Sequence, residues 1–242
     1  MARFLLEQGV LFQHIPRTGG TWIEKAIDCC GIKRKGWFGK NLQCFPRKHS
    51  LLGHYHRCHL AKVNTVVAFV RHPISYYESV WKWLMDNRNH PLTRSWWTWH
   101  PHLSAMRWFR AVGSKSPGSF DDWVYMMTTK EPMWCTRLFE AYVGPPGGEI
   151  VDWIGRTETL TDDFRSFMTE VGYGEEVESN WQEVTDLGCV NAGTAKPLWS
   201  PDMKSRVLES ERSIIDRFYA REGTRRKYAR LAQRDSEGVA VS

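Results

Sequence analysis

The sequence predicts an α/β fold with a mainly parallel central sheet. Two segments, GVLFQHI (Gly9–Ile15) and TVVAFV (Thr65–Val70), read as strands without polar alternation, the pattern of strands covered on both faces. Each runs into a turn or proline signal and then into a helical apolar stripe. Strands alternating with helices give a parallel sheet. Ligands of such folds bind beyond the carboxyl ends of the strands, where both PRTGGT and RHPISYYES fall.

The elements follow in chain order. After Gly9–Ile15, TWIEKAIDCC reads as a helix: Thr21 and Glu24 have capping-box spacing, and Trp22, Ile23, Ala26, Ile27 and Cys30 form an apolar face. After Thr65–Val70, His72-Pro73 opens a second helix with proline in its first turn. Thr161–Val171 sets Phe164, Phe167, Met168 and Val171 at helical spacing, and Gly172 stops it. Ser200-Pro201-Asp202 starts a last helix, on which Met203, Val207, Ile214 and Phe218 share one stripe. No internal repeat, low-complexity segment or linker interrupts the chain. A single domain is expected over residues 1–234, with a disordered tail over 235–242.

The 242 residues suffice for one sizeable core. No apolar run approaches the roughly 18–20 residues of a membrane span. The start, MARFLLEQGVLF, is too short and polar for a signal peptide. A cytoplasmic location is expected, with Cys29, Cys30, Cys44, Cys58, Cys135 and Cys189 reduced, since no CxxC pair occurs. The net charge of +6 suits an anionic ligand without identifying one. The basic run from Arg221 to Arg234 reads as a solvated helix face.

HIPRTGGTWIEKAI (His14–Ile27) raises the functional question. A strand, a glycine turn and a helix N-terminus make an anion site, because free N–H groups converge there and the helix dipole favours negative charge. Gly19 and Gly20 allow close backbone approach. Arg17 adds a permanent charge able to fork two phosphate oxygens. Thr18 and Thr21 add hydroxyl donors, so the expected ligand is a phosphate. The rival reading is an ordinary turn with an exposed arginine. The nucleotide-triphosphate loop G-x-x-x-x-G-K-[ST] is absent, as is G-x-G-x-x-G. No acidic strand end offers carboxylates for the Mg²⁺ a kinase would need.

FVRHPISYYESVW adds a second anion motif. Arg71 ends a strand, Ser79 lies eight residues on, and Ser75 and Ser79, four apart, share a helical face. Two separated anion motifs without a metal site suit a nucleotide with phosphates at both ends.

PRTGGTW resembles the 5′-phosphosulfate loop of sulfotransferases that use 3′-phosphoadenosine 5′-phosphosulfate (PAPS), and R-H-P-x-x-x-x-x-S resembles their 3′-phosphate motif. IGRTETLTDDF (Ile154–Phe164) is similar to the family's G-R-x-E-x-L-x-x-D-F segment. CVNAGTAKPLWSPDMKSRV (Cys189–Val207) is similar to the asparagine-containing loop and final helix of its carbohydrate-type branch. The likeness covers about residues 9–220. It implies a three-layer α/β sandwich, P-loop NTPase-like, and PAPS as donor with no metal. It implies donor contacts from Arg17, Thr18, Gly19, Gly20, Thr21, Trp22, Arg71, Ser79 and Lys196. The family's 5′ loop usually carries lysine where this chain has Arg17, so the charge is kept and the point donor to the leaving oxygen is changed.

Sulfuryl transfer builds charge on the leaving phosphate oxygen, which Arg17 and the helix N-terminus would stabilise. The acceptor hydroxyl needs a base. The branch places a histidine a little over twenty residues before the 3′-motif arginine. His49 lies 22 before Arg71, in Lys48-His49-Ser50, and ranks first; His54, 17 before, ranks second. His14, on the strand before the loop, reads as structural. Two rivals remain: a nucleotide kinase of related fold, and a basic nucleic-acid-binding protein. His54, His56, Cys58 and His59 crowd together but match no zinc-finger spacing, so no metal is expected. Trp81 and Trp83 belong to the helix after the 3′ motif. Trp96, Trp97, Trp99 and Trp108 read as an acceptor-site lid, a buried helix or a subunit interface. The acceptor is expected to be a carbohydrate or small molecule bearing a hydroxyl or amine.

Overall fold

In a computed structural model, residues 4–36, 63–87, 119–188 and 197–220 are described. They fall into two compact units. The first holds 4–36, 63–70 and 139–188, the second 71–87, 119–138 and 197–220.

The first unit is built on a five-stranded sheet in the order β3-β1-β2-β4-β5. Its strands are β1 (Phe4–Leu6), β2 (Val10–Gln13), β3 (Arg34–Gly36), β4 (Thr65–Val70) and β5 (Trp153–Arg156). β2, β4 and β5 run parallel, with Phe12 beside Val67 and Phe69 beside Gly155. β1 is antiparallel to both β2 and β3. The expected α/β class and parallel core hold, and an antiparallel edge joins them. The first expected strand is shorter at both ends, and β1, β3 and β5 add to the two foreseen.

Burial explains the unbroken apolar runs. Val10, Phe12, Val67, Phe69 and Trp153 pack with α1 (Gly20–Cys29) and α5 (Leu160–Glu170) in one core. Leu11, Val66, Ala68 and Val70, on the opposite face, are buried as fully. Trp22 and Ile23 of α1 meet Phe164 and Phe167 of α5 in the same core, with the Trp22 ring edge-on to Phe164 at 5.5 Å. α6 (Gly174–Ser179) and α7 (Trp181–Asp186) close this core with Val177 and Val184.

α5 begins after a 3₁₀ turn at Thr157–Thr159 and carries the expected apolar stripe. Its start is tied down by Asp163, whose Oδ2 accepts from Arg156 N–H at 2.7 Å and Thr159 O–H at 2.9 Å. The second aspartate of the TLTDDF segment thus fastens a strand end to a helix.

The second unit is helical: α2 (Pro73–Asn87), α3 (Phe120–Lys130), α8 (Pro201–Ser210) and α9 (Arg212–Phe218), with α4 (Trp134–Val143) crossing the unit boundary after Leu138. Its core is aromatic. Trp123 lies 5.4 Å from Tyr77 and 5.7 Å from Trp81, and Trp134 lies 5.3 Å from Tyr77. Trp81 joins this cluster half-buried. Trp199 stands edge-on to Phe120 at 4.7 Å and donates to Glu78 at 2.8 Å.

The single helix expected after Ser200 is two helices. Ser200 caps the first as expected, accepting from Met203 N–H, with Pro201 at its first position. The break falls at Glu211, which is fully buried. Its Oε1 accepts from Tyr77 O–H at 2.9 Å and Cys135 N–H at 3.1 Å. Its Oε2 accepts from Thr136 N–H at 2.9 Å and Thr136 O–H at 2.7 Å. The carboxylate therefore caps the first turn of α4 from a distant part of the chain, matching negative charge to a helix N-terminus. α4 needs it: Met133, which accepts the first helical bond there, sits at φ 57 and has no polar side chain.

Candidate functional site

The two anion motifs fall in different units, and each takes its geometry from its own unit. The first follows β2 in the first unit. His14 and Ile15 continue the strand inward, both buried. The turn over Pro16–Gly19 then bends sharply, with positive φ at Arg17 (66°) and Gly19 (87°). Thr18 is buried and donates its hydroxyl to the Ile15 carbonyl at 2.9 Å, which locks the turn shut.

α1 begins at Gly20, with Gly19 at the cap position and no side chain capping the N-terminus. The expected capping box is absent, because the helix starts earlier and Thr21 lies inside its first turn. Trp22 and Ile23 N–H both donate to the Gly19 carbonyl, at 2.9 and 3.1 Å. The N–H groups of Gly20 and Thr21 come before these bonds, at the positive end of the helix dipole.

These placements sort the expected donor contacts. Arg17 and Thr21 are half-buried at the turn. Thr18 has turned its hydroxyl into the protein, leaving its backbone. Trp22 belongs to the core, with its ring on Phe164 and its N–H on Gly19. The two glycines have reasons inside the protein. A Cβ at Gly19 would approach Leu160 Cδ2 to 2.8 Å, on a backbone already at φ 87. A Cβ at Gly20 would overlap the His14 ring at Nδ1 and Cε1. Close approach thus operates here, toward the chain's own side chains.

The second motif begins the second unit. Arg71 follows the end of β4 and donates from Nε to Ser75 Oγ at 3.2 Å. Ser75 in turn donates to the His72 carbonyl at 3.0 Å. His72 Nδ1 accepts from Ile74 N–H at 3.3 Å, so the residue before Pro73 caps α2 with its ring. The His72 ring also stands edge-on to Tyr219 at 5.0 Å. Ser75 and Ser79 share α2 as expected, with Ser79 buried and Ser75 half-buried. Between them Tyr77 is fully buried. Burial, reinforced by the charge of Glu211, pushes its hydroxyl well above the usual tyrosine range.

Both strands that feed the motifs end on the same side of the sheet, since β2 and β4 are parallel neighbours. Thr157 O–H reaches the Val70 carbonyl at 2.9 Å and ties the β5 exit to the β4 exit there.

His49, His54, His56, Cys58, His59, Lys196, Trp96, Trp97, Trp99, Trp108 and the run from Arg221 lie outside the described residues. Sequence reasoning passed over Glu78 and Glu211, which anchor Trp199 and α4 to the second motif's helix. Neither carries a local signal, since each reads as an ordinary polar helix residue and its partners lie far along the chain. No family model, curated protein or solved structure matches this chain. Among the described residues, no helix is long and apolar enough to cross a membrane.

Proposed function

We propose that the protein is a PAPS-dependent sulfotransferase with the three-layer, P-loop-NTPase-like arrangement of that family. It moves a sulfuryl group to a hydroxyl or amine of a carbohydrate or small-molecule acceptor. The observation that carries the reading is Arg17, held at φ 66 in a turn that enters an α-helix with no side-chain cap. A left-handed non-glycine residue costs on the order of 1–2 kcal/mol, and such strain concentrates where a side chain must be aimed. Arg17 thus brings a permanent positive charge into the turn that leads to this helix N-terminus. A 5′-phosphate leaving group requires both.

The chemistry assigned to these residues is positioning and charge stabilisation. As the acceptor oxygen bonds to sulfur, the bond from sulfur to the phosphate oxygen breaks, and charge collects on that oxygen. Arg17 and the N–H groups of Gly20 and Thr21 stabilise it. The acceptor proton passes to a base, His49 first and His54 second. Arg71 and Ser79 hold the 3′-phosphate, with Ser75 orienting the Arg71 guanidinium through the 3.2 Å bond from Nε. Lys196 is a further donor contact.

The test is calorimetric. Wild type should bind 3′-phosphoadenosine 5′-phosphate tighter than adenosine 5′-phosphate by about a hundredfold, the 2.7 kcal/mol expected of charge-assisted hydrogen bonds. Arg71→Ala should lose most of that preference. An unchanged preference in the variant overturns the assignment of the 3′ site.

A further inference from the structure

We infer that His14 is a positioning residue for the anion-binding turn: its buried ring is the wedge that fixes the first turn of α1 and makes glycine obligatory at position 20. The inference rests on the donor-binding reading above and adds a residue to which that reading assigned no role.

The imidazole leaves the end of β2, where Gln13 pairs with Ala68 and cannot shift without breaking the parallel ladder. It is 5% exposed, and the Phe12 ring stands edge-on to it at 6.3 Å and 89°. It also meets the backbone of Gly20, the first residue of α1, so closely that a Cβ there would fall on Nδ1 and Cε1. Gly20 carries no positive φ, so the glycine answers this contact and not a backbone conformation.

Gly19 is different. The atom facing it is the methyl end of Leu160, a flexible side chain that can swing, and the demand for glycine there comes first from its φ of 87°. The His14 ring is planar and enclosed, and has no such freedom. The turn is therefore pressed at Gly20 by a rigid ring and at Gly19 by a yielding one. The rigid contact sets where the Gly20 and Thr21 N–H groups point.

A shape-complementation cycle reads this directly, with 3′-phosphoadenosine 5′-phosphate and adenosine 3′-phosphate as probes. The second lacks the 5′-phosphate and so reports the rest of the site. Gly20→Ala should weaken the bisphosphate by about tenfold or more, the 1.4 kcal/mol of a displaced charge-assisted contact, and leave the 3′-monophosphate unchanged. His14→Ala should narrow the affinity ratio of the two probes. In the His14→Ala background, adding Gly20→Ala should cost nothing further, because the room has been made. Circular dichroism at the assay temperature confirms folding of each variant. An equal cost of Gly20→Ala in both backgrounds overturns the inference, since the glycine then serves the ligand's approach. So does a probe ratio unchanged by His14→Ala. Failure of wild type to bind the bisphosphate would instead remove the donor-binding reading itself.

Discussion

Replacing Glu211 by glutamine changes one atom, and the structure gives its cost. Both carboxylate oxygens of Glu211 are in use, each accepting from one backbone N–H and one hydroxyl. Whichever way the amide turns, its NH₂ faces either Cys135 N–H with Tyr77 O–H, or Thr136 N–H with Thr136 O–H. The hydroxyl can rotate and accept; the backbone N–H cannot. One buried donor at the start of α4 then loses its acceptor, at about 1–3 kcal/mol. The negative charge at that helix N-terminus is also lost, up to about 2 kcal/mol in a partly buried setting. A total near 3 kcal/mol corresponds to a melting temperature lower by about 6–12 °C for a chain of this size. Urea unfolding followed by tryptophan fluorescence reads it, because Trp123 and Trp134 lie in the same core. A Glu211→Gln variant within about 0.5 kcal/mol of wild type, the range of a surface change, would refute the capping role.

Asp163 supplies the contrast. Both of its bonds fall on Oδ2, so Asp163→Asn keeps an acceptor in place, loses only the charge in the first turn of α5 and should cost less than Glu211→Gln, whereas Asp163→Ala should cost about 2 kcal/mol in the same assay. Tyr77 governs alkaline behaviour. Its folded-state pKa is raised above the ordinary value of 10.0, so its contribution is whole below that pH and is lost as the unfolded chain ionises above it. Stability should fall above pH 10 with a slope up to about 1.4 kcal/mol per unit from this group, and Tyr77→Phe should flatten that slope; parallel profiles would contradict the assignment. For Arg17, Arg17→Ala should lower turnover at saturating PAPS more than it lowers donor affinity, because its charge matters most as the leaving oxygen ionises. Arg17→Lys should retain activity, and equal turnover in wild type and alanine variant would remove the role.

What the sequence disclosed follows from the range of each interaction. The parallel strands β2 and β4 were legible because burial on both faces erases alternation, and α2 because Pro73 marks its first position. The turn was legible as a turn, but the reason for its glycines was not. Ligand approach and the overlap with His14 leave the same two letters. The start of α1 was misplaced for a related reason: Thr21 and Glu24 have the right spacing, while the helix begins from a left-handed Gly19 that needs no side-chain cap. β1 and β3 are three residues each, too short to show a period, and exist through pairing with each other. Glu211 was invisible because its partners stand about 75 and 134 residues away, and a glutamate among polar neighbours reads as solvated.

The proposal that the protein binds a nucleotide phosphorylated at its 5′ and 3′ positions meets its most direct test in a thermal-shift comparison. The ligands are 3′-phosphoadenosine 5′-phosphate and ATP, each with and without Mg²⁺. The bisphosphate at about 100 times its dissociation constant should stabilise by about 2.7 kcal/mol, a rise of about 5–10 °C, and Mg²⁺ should not change it. ATP should shift the transition less. A larger shift with ATP and Mg²⁺, or none with the bisphosphate, would contradict the account.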